Sequence, residues 1–276
     1  MRWLNKLLVT LALLTVIGFS LGGVLVAFAY PQLPSLDVLT DYRPKVPLRV
    51  YTSDGALIGE FGEERRQVVK INQVPDVMKQ AILAAEDDRF YQHSGVDVFG
   101  FARAAAANLV SGGKKQGAST ITMQVARNFF LSSEKTVTRK LYEVLLALKI
   151  EKNLTKDQIL ELYINQIYLG QRSYGFASAA QIYYGKSLDQ LTPAEAAMLA
   201  GLPKAPSAYN PVVNPKRARS RQLHIIDRML ENNFITEEQA AAAKAEPLKI
   251  KNSAASNPIH AEYVAEMVRQ LVYAQY

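Results

Sequence analysis

Three stretches of this 276-residue chain group residues whose types and spacing could do chemistry. The first is Glu86-Asp87-Asp88-Arg89-Phe90-Tyr91-Gln92-His93-Ser94-Gly95, which follows Met78, Ala81, Ile82 and Ala85 at helical spacing. Glu86 therefore ends an apolar helix face. A carboxyl placed there is partly desolvated, which raises its pKa and suits proton transfer. The other reading is a solvated acidic turn. The second stretch is Gly117-Ala118-Ser119-Thr120-Ile121-Thr122-Met123-Gln124, running into Val125-Ala126-Arg127-Asn128. Ser119 can cap a helix whose N-terminus attracts anions, and Gln124 and Arg127 then share a face. The Gly- and Lys-containing loop before it, 111–117, is either a basic part of the site or a solvated connector. The third lies on a helix from about 134 to 152. At about 100° per residue, Lys135, Arg139, Lys140 and Glu143 fall on one arc, with Val137, Leu141, Val144, Leu145 and Leu148 opposite. Three cations around one carboxylate can grip an anion. Arg139 and Glu143 also form an i,i+4 pair that needs no ligand.

Together these make one kind of site. Glycosyl chemistry uses paired carboxylates, and a diphosphate leaving group needs cations aimed at its developing charge.

The elements that must position these residues are mostly helical. From Pro75 onward the apolar spacing is that of helices, and three starts carry capping boxes: Thr155 with Gln158, Thr192 with Glu195, Thr236 with Gln239. Pro193 suits the first helical position of the second, and Gly201 is placed to end that helix. No strand–helix alternation and no Gly-rich nucleotide loop appear, so a Rossmann transferase is excluded. Before the helices, two apolar-rich runs flank Asp54-Gly55, a hairpin signal, expected to cover the base of the helical domain. Pro31, Pro34, Pro44 and Pro47 mark a stiff linker. Ahead of it, Arg2 and Lys6 precede an uncharged, mostly apolar run over 7–30, long enough to cross a bilayer with the rest of the chain outside. Ala27-Phe28-Ala29 leaves a cleaved signal peptide as the alternative. The expected organisation is a cytoplasmic tail (1–6), a transmembrane signal-anchor (7–30), linker and hairpin (31–72), a helical catalytic domain (73–246), and the start of a further region (247–276).

The net charge of +7 and a pI of about 9.4 ask for an anionic partner. No zinc pattern, RNA signature or zipper is present, so nucleic acid is set aside in favour of membrane or phosphate. The absence of cysteine removes disulfides and thiol catalysis. Two Ser-x-x-Lys matches, at Ser111 and Ser132, lack a Lys-Thr-Gly partner, so no penicillin-acylated serine is expected.

The ordered motifs resemble glycosyltransferase family 51, the family of the N-terminal half of class A penicillin-binding proteins. Glu86, Asp87, Phe90, His93 and Gly95 meet its first pattern; the stretch from Gly117 to Gln124 its second, with Met123 where many members have Gln; Arg139, Lys140 and Glu143 its third. A fourth runs from Lys156 through Asn165, a fifth from Gly170 to Lys186, and Gly201-Leu202-Pro203-Lys204-Ala205-Pro206 also matches. The resemblance implies a mainly α, lysozyme-like domain with a small N-terminal β-hairpin region, one N-terminal transmembrane helix and a membrane-dipping jaw, for which Phe99, Phe101, Phe129, Phe130 and Leu131 are the lipid-facing candidates. It implies polymerisation of lipid II with inversion and release of undecaprenyl diphosphate. Glu86 is then the base, and Glu143 orders the diphosphate end, directly or through a divalent cation such as Mg2+, no cofactor being tightly bound. Arg127, Lys135, Arg139 and Lys140 would hold phosphates; Asp87, Phe90, Ser119 and Gln124 would line the substrate cleft; Lys156, Glu161, Asn165 and Tyr184 would brace the fold. Implied partners are lipid II, the lipid-linked glycan strand, the inner membrane, and activator and divisome or elongasome proteins. The rivals are a lysozyme-like hydrolase, which has no diphosphate to hold, and a non-catalytic scaffold.

Overall fold

The structure, a computed structural model, describes residues 26–42, 47–62, 64–103, 119–131, 136–251 and 261–275, with isolated positions between 3 and 24. It is mainly helical. In chain order the helices are α1 (Asp37–Thr40), α2 (Asp76–Glu86), α3 (Ile121–Phe130), α4 (Val137–Asn153), α5 (Lys156–Gln166), α6 (Phe176–Tyr184), α7 (Pro193–Ala200), α8 (Pro215–Glu231), α9 (Glu237–Ala245) and α10 (Glu262–Gln275). The strands are β1 (Leu48–Tyr51), β2 (Leu57–Phe61), β3 (Arg65–Arg66) and β4 (Ser173–Tyr174). Among the described residues no helix is long and apolar enough to cross a membrane. Half of the expected span over 7–30 lies outside the described residues.

Local sequence sets the helix starts. Thr155, Thr192 and Thr236 each accept from the N–H three residues on, and Gln158, Glu195 and Gln239 reach back, as expected. Two expectations shift. Thr120, not Ser119, caps α3, accepting from the Met123 N–H at 3.2 Å. Gly201 follows the last residue of α7, as expected, but with a right-handed backbone (φ −79°) and not as a left-handed cap.

One core holds the helical domain. α7 lies in its middle, and its small residues Ala194, Ala196, Ala197 and Ala200 are buried, which lets α2 and α8 pack closely on it and on each other. The linker ahead of the hairpin is part of this core. Ala29, Leu33 and Leu39 are buried in it. Lys149 of α4 donates to the Pro34 carbonyl at 2.8 Å, and the Tyr42 hydroxyl donates to Gln166 at 2.7 Å. A segment with apolar anchors at 29, 33 and 39 docks where a run of prolines alone reads as a spacer.

The hairpin is antiparallel, with Leu48 opposite Phe61 and its turn at Asp54-Gly55, where Gly55 has φ +86°. It does not cover the base of the helical domain. Val50 and Ile58 pack instead on Ala265 of α10, in a separate small cluster. Hairpin face and α10 face are both narrow apolar stripes, and each buries the other.

Candidate active site

Glu86 closes α2, where apolar spacing carries Met78, Ala81 and Ile82 into the core and leaves the last turn at the edge. The side chain is half-buried. Gln124 Nε2, one turn into α3, donates to Glu86 Oε2 at 2.7 Å. Burial pushes the Glu86 carboxyl above its ordinary pKa, against the Gln124 hydrogen bond and the charges of Arg221, Arg127 and Lys204. A carboxylate that is desolvated yet kept ionisable by a donor and nearby cations has the properties of a general base.

The next residues hold that geometry. Asp87 is buried. It accepts from the first N–H of α3, at Ile121, at 3.0 Å, and lies 3.0 Å from His93 Nε2. A carboxylate at a helix N-terminus is favourable, and here it ties the end of α2 to the start of α3, placing Gln124 beside Glu86. Gly95 has φ +89°, and a Cβ there would stand 3.0 Å from the Ala147 carbonyl. Its own carbonyl accepts from Thr120 at 2.6 Å. A glycine is required where the chain makes this close turn against α4. Phe90 is fully buried, with Lys156 Nζ 4.3 Å from its ring centre. Asp87 and Phe90, expected to line the cleft, are both buried.

On the other side of α3 stands the second carboxylate. Glu143 is 1 % exposed and lies between Arg139 Nε, at 3.2 Å, and Lys140 Nζ, at 2.8 Å. Lys140 also donates to Ser119 Oγ at 2.8 Å, and it remains partly exposed. α3 therefore bridges the site: Gln124 meets Glu86, and Ser119, just ahead of its cap, meets Lys140. Arg127, one turn beyond Gln124, acts electrostatically on Glu86. Lys135 and the loop 111–117 lie outside the described residues.

The surroundings of Glu143 do not fit a divalent ion. Both oxygens face cations, and among the described residues no three His, Cys, Asp or Glu side chains converge. Of the bracing candidates, Asn165 and Glu161 tie α5 to the segment before α2, while the Tyr184 hydroxyl is buried without a hydrogen-bond partner among the described residues. Asn165 exchanges two hydrogen bonds with the Val69 backbone, at 2.9 and 2.8 Å, and Glu161 accepts from the Ile71 N–H at 2.8 Å. Of the lipid-facing candidates, Phe99 and Phe101 are exposed, whereas Phe129, Phe130 and Leu131 pack partly against the core.

Two cations near Glu86 had no role in the sequence reading: Lys204, after α7, and Arg221, on α8. Arg221 left a signal. It falls on the helical stripe of Ala218, Gln222, Ile225, Ile226 and Met229, where a charged residue among apolar ones asks for a reason.

Comparison with known proteins extends these observations. The chain is similar to penicillin-binding protein 1A of Neisseria meningitidis serogroup B (59% identity over 261 residues, 95% of this chain and 33% of the relative). It is 50% identical to penicillin-binding protein 1A of Escherichia coli K12 over 246 residues, covering 89% of this chain and 29% of that one. A crystal structure of penicillin-binding protein 1A from Haemophilus influenzae aligns with a TM-score of 0.49 and 33% identity, over 85% of this chain and 25% of that one. The chain spans about a third of the length of the curated relatives it matches. The transglycosylase family model matches residues 54–230, which include Glu86, Gln124, Glu143 and Arg221, and the chain belongs to the transglycosylase family.

Proposed function

We propose that this chain is a peptidoglycan glycosyltransferase that polymerises lipid II. Glu86 takes the proton from the 4-hydroxyl of the acceptor's N-acetylglucosamine. The freed oxygen attacks C1 of the donor's N-acetylmuramic acid, the bond to undecaprenyl diphosphate breaks, and the anomeric centre inverts. Arg127, Lys135, Arg139 and Lys140 hold the departing diphosphate, and Glu143 holds Arg139 and Lys140 in place for it. In this reading the domain is lysozyme-like and spans 73–246. The segment 7–30 anchors it in the bacterial inner membrane with the site on the periplasmic side, and activator and division or elongation proteins are its partners.

The observation that carries the reading is Glu86 itself: half-buried, held at 2.7 Å by Gln124, and set among cations that suit a diphosphate better than a neutral glycan. A hydrolase would have no use for Arg127 beside Glu86 or for Arg139 and Lys140 beside Glu143. The test is incubation of the detergent-solubilised chain with labelled lipid II, with and without moenomycin. Polymer that moenomycin suppresses is expected. Glu86→Gln should abolish polymer, a loss of at least about a hundredfold, the usual contribution of a general base. Near-normal turnover by that variant rejects the assignment.

A further inference from the structure

We infer that Arg221 is a positioning residue for Glu86: its buried guanidinium holds the end of α2 and fixes a positive charge behind the carboxylate, and Gly201 is glycine so that the arginine stem can pass. The inference rests on the reading of Glu86 as the base.

Arg221 lies on the inner stripe of α8 and is only 9% exposed. A buried guanidinium without partners is strongly unfavourable, so its surroundings must supply compensation. Among the described residues its hydrogen bonding is sparse. Nη2 reaches the Ala85 carbonyl at 3.5 Å, one residue before Glu86, and the buried Nε has no hydrogen-bond partner. The anion that acts most strongly on Arg221 is Glu86, ahead of the Tyr209 phenol.

Gly201 supplies the second observation. Its backbone is ordinary right-handed, so conformation does not require glycine. Space does. A Cβ there would stand 2.9 Å from Arg221 Cγ and 3.2 Å from Ile225 Cδ1. The turn after α7 is thus open where the arginine stem crosses it toward α2.

The other groups facing Glu86 do not replace this charge. From α3 come Gln124 and Arg127, from the segment after α7 Lys204, and from α5 the Tyr163 phenol. Lys204 is exposed and Arg127 is half-buried, so water screens both more than it screens Arg221. His224, one turn along α8, faces Arg221, Lys204, Arg228 and Asp227; burial and the three cations lower its pKa, and it adds no charge at neutral pH. Asp87 is engaged with His93 and α3.

The experiment uses the full chain in detergent, with carbon-13 labelled glutamate side chains. Glu86 is titrated by NMR in the parent, R221Q, R221K and G201A. In parallel, lipid II polymerisation is followed against pH. With the cation gone, the carboxylate is less favoured, so the Glu86 midpoint in R221Q should rise by about one pH unit. The acid limb of activity should move up with it. Activity below the parent midpoint then falls roughly tenfold, while the alkaline plateau is nearly kept. R221K should hold the midpoint close to the parent's, and G201A, by displacing the stem, should raise it as R221Q does. Should R221Q not fold, G201A carries the test. An unmoved midpoint in R221Q or G201A, or activity reduced by one factor at every pH, overturns the inference. If the parent makes no polymer yet the midpoint moves, the glycosyltransferase reading fails and the hold of Arg221 on Glu86 stands.

Discussion

An ionised Glu86 works against folding. In the unfolded chain water solvates it, whereas in the folded chain burial favours its neutral form and raises its pKa. A raised carboxyl contributes no penalty below the ordinary carboxylate range. The penalty grows as pH rises from that range through the folded-state value, and is full above it. Glu86→Gln removes the charge while keeping an oxygen to accept from Gln124. The variant should therefore melt above the parent at pH 7.5, with the difference shrinking as pH falls toward 4; calorimetry across that range checks it. Equal melting temperatures at every pH would mean that the carboxylate is not desolvated. The same scale shows the limit of motif reading. Glu86 and Gln124, which the family motifs assign to one cleft, meet at 2.7 Å. Asp87 and Phe90 share the first motif with Glu86, yet they point into the core, because neighbours in a turn after a helix diverge and only packing decides which one faces outward.

At the scale of elements, α3 is the bridge of the site. Its first N–H is held by Asp87, its Gln124 reaches Glu86, and the residue ahead of its cap reaches Lys140. The docked linker bears on the same frame, since Lys149 and Tyr142 of α4 hold residues 32–34 while Arg139, Lys140 and Glu143 of that helix face the site. Leu39 is 4% exposed in the main core. Leu39→Ala should destabilise the helical domain by about 2–4 kcal/mol, as for other buried leucines, with an unchanged slope in urea unfolding. No change in midpoint would show that the linker is a spacer after all. The capping boxes were legible because they are written within four residues. Docking of the linker was not, because it depends on a pocket made by α4 and α5 far along the chain.

Among the described residues there are two apolar clusters, the large helical core and the small one joining the hairpin to α10. A Cβ on Gly59 would stand 2.6 Å from Ala265 Cβ. Gly59→Val suits a strand but has no room against α10. It should release α10 while the main core stays intact. Hydrogen exchange should then quicken across 262–275 and remain slow in α5 and α7; slowed or unchanged exchange in α10 would refute the packing.

Periodicity, capping residues and ordered motifs determined by themselves that this chain is mainly helical, where three of its helices begin, and which carboxylate ends an apolar face. These are local properties, set by contacts between residues a turn or two apart. Tertiary structure alone decided that Arg221 of α8 acts on Glu86, that Asp87 and Phe90 are buried, and that the hairpin packs on α10. Burial and charge proximity arise between elements distant in sequence, and no spacing along one helix encodes what will pack against it.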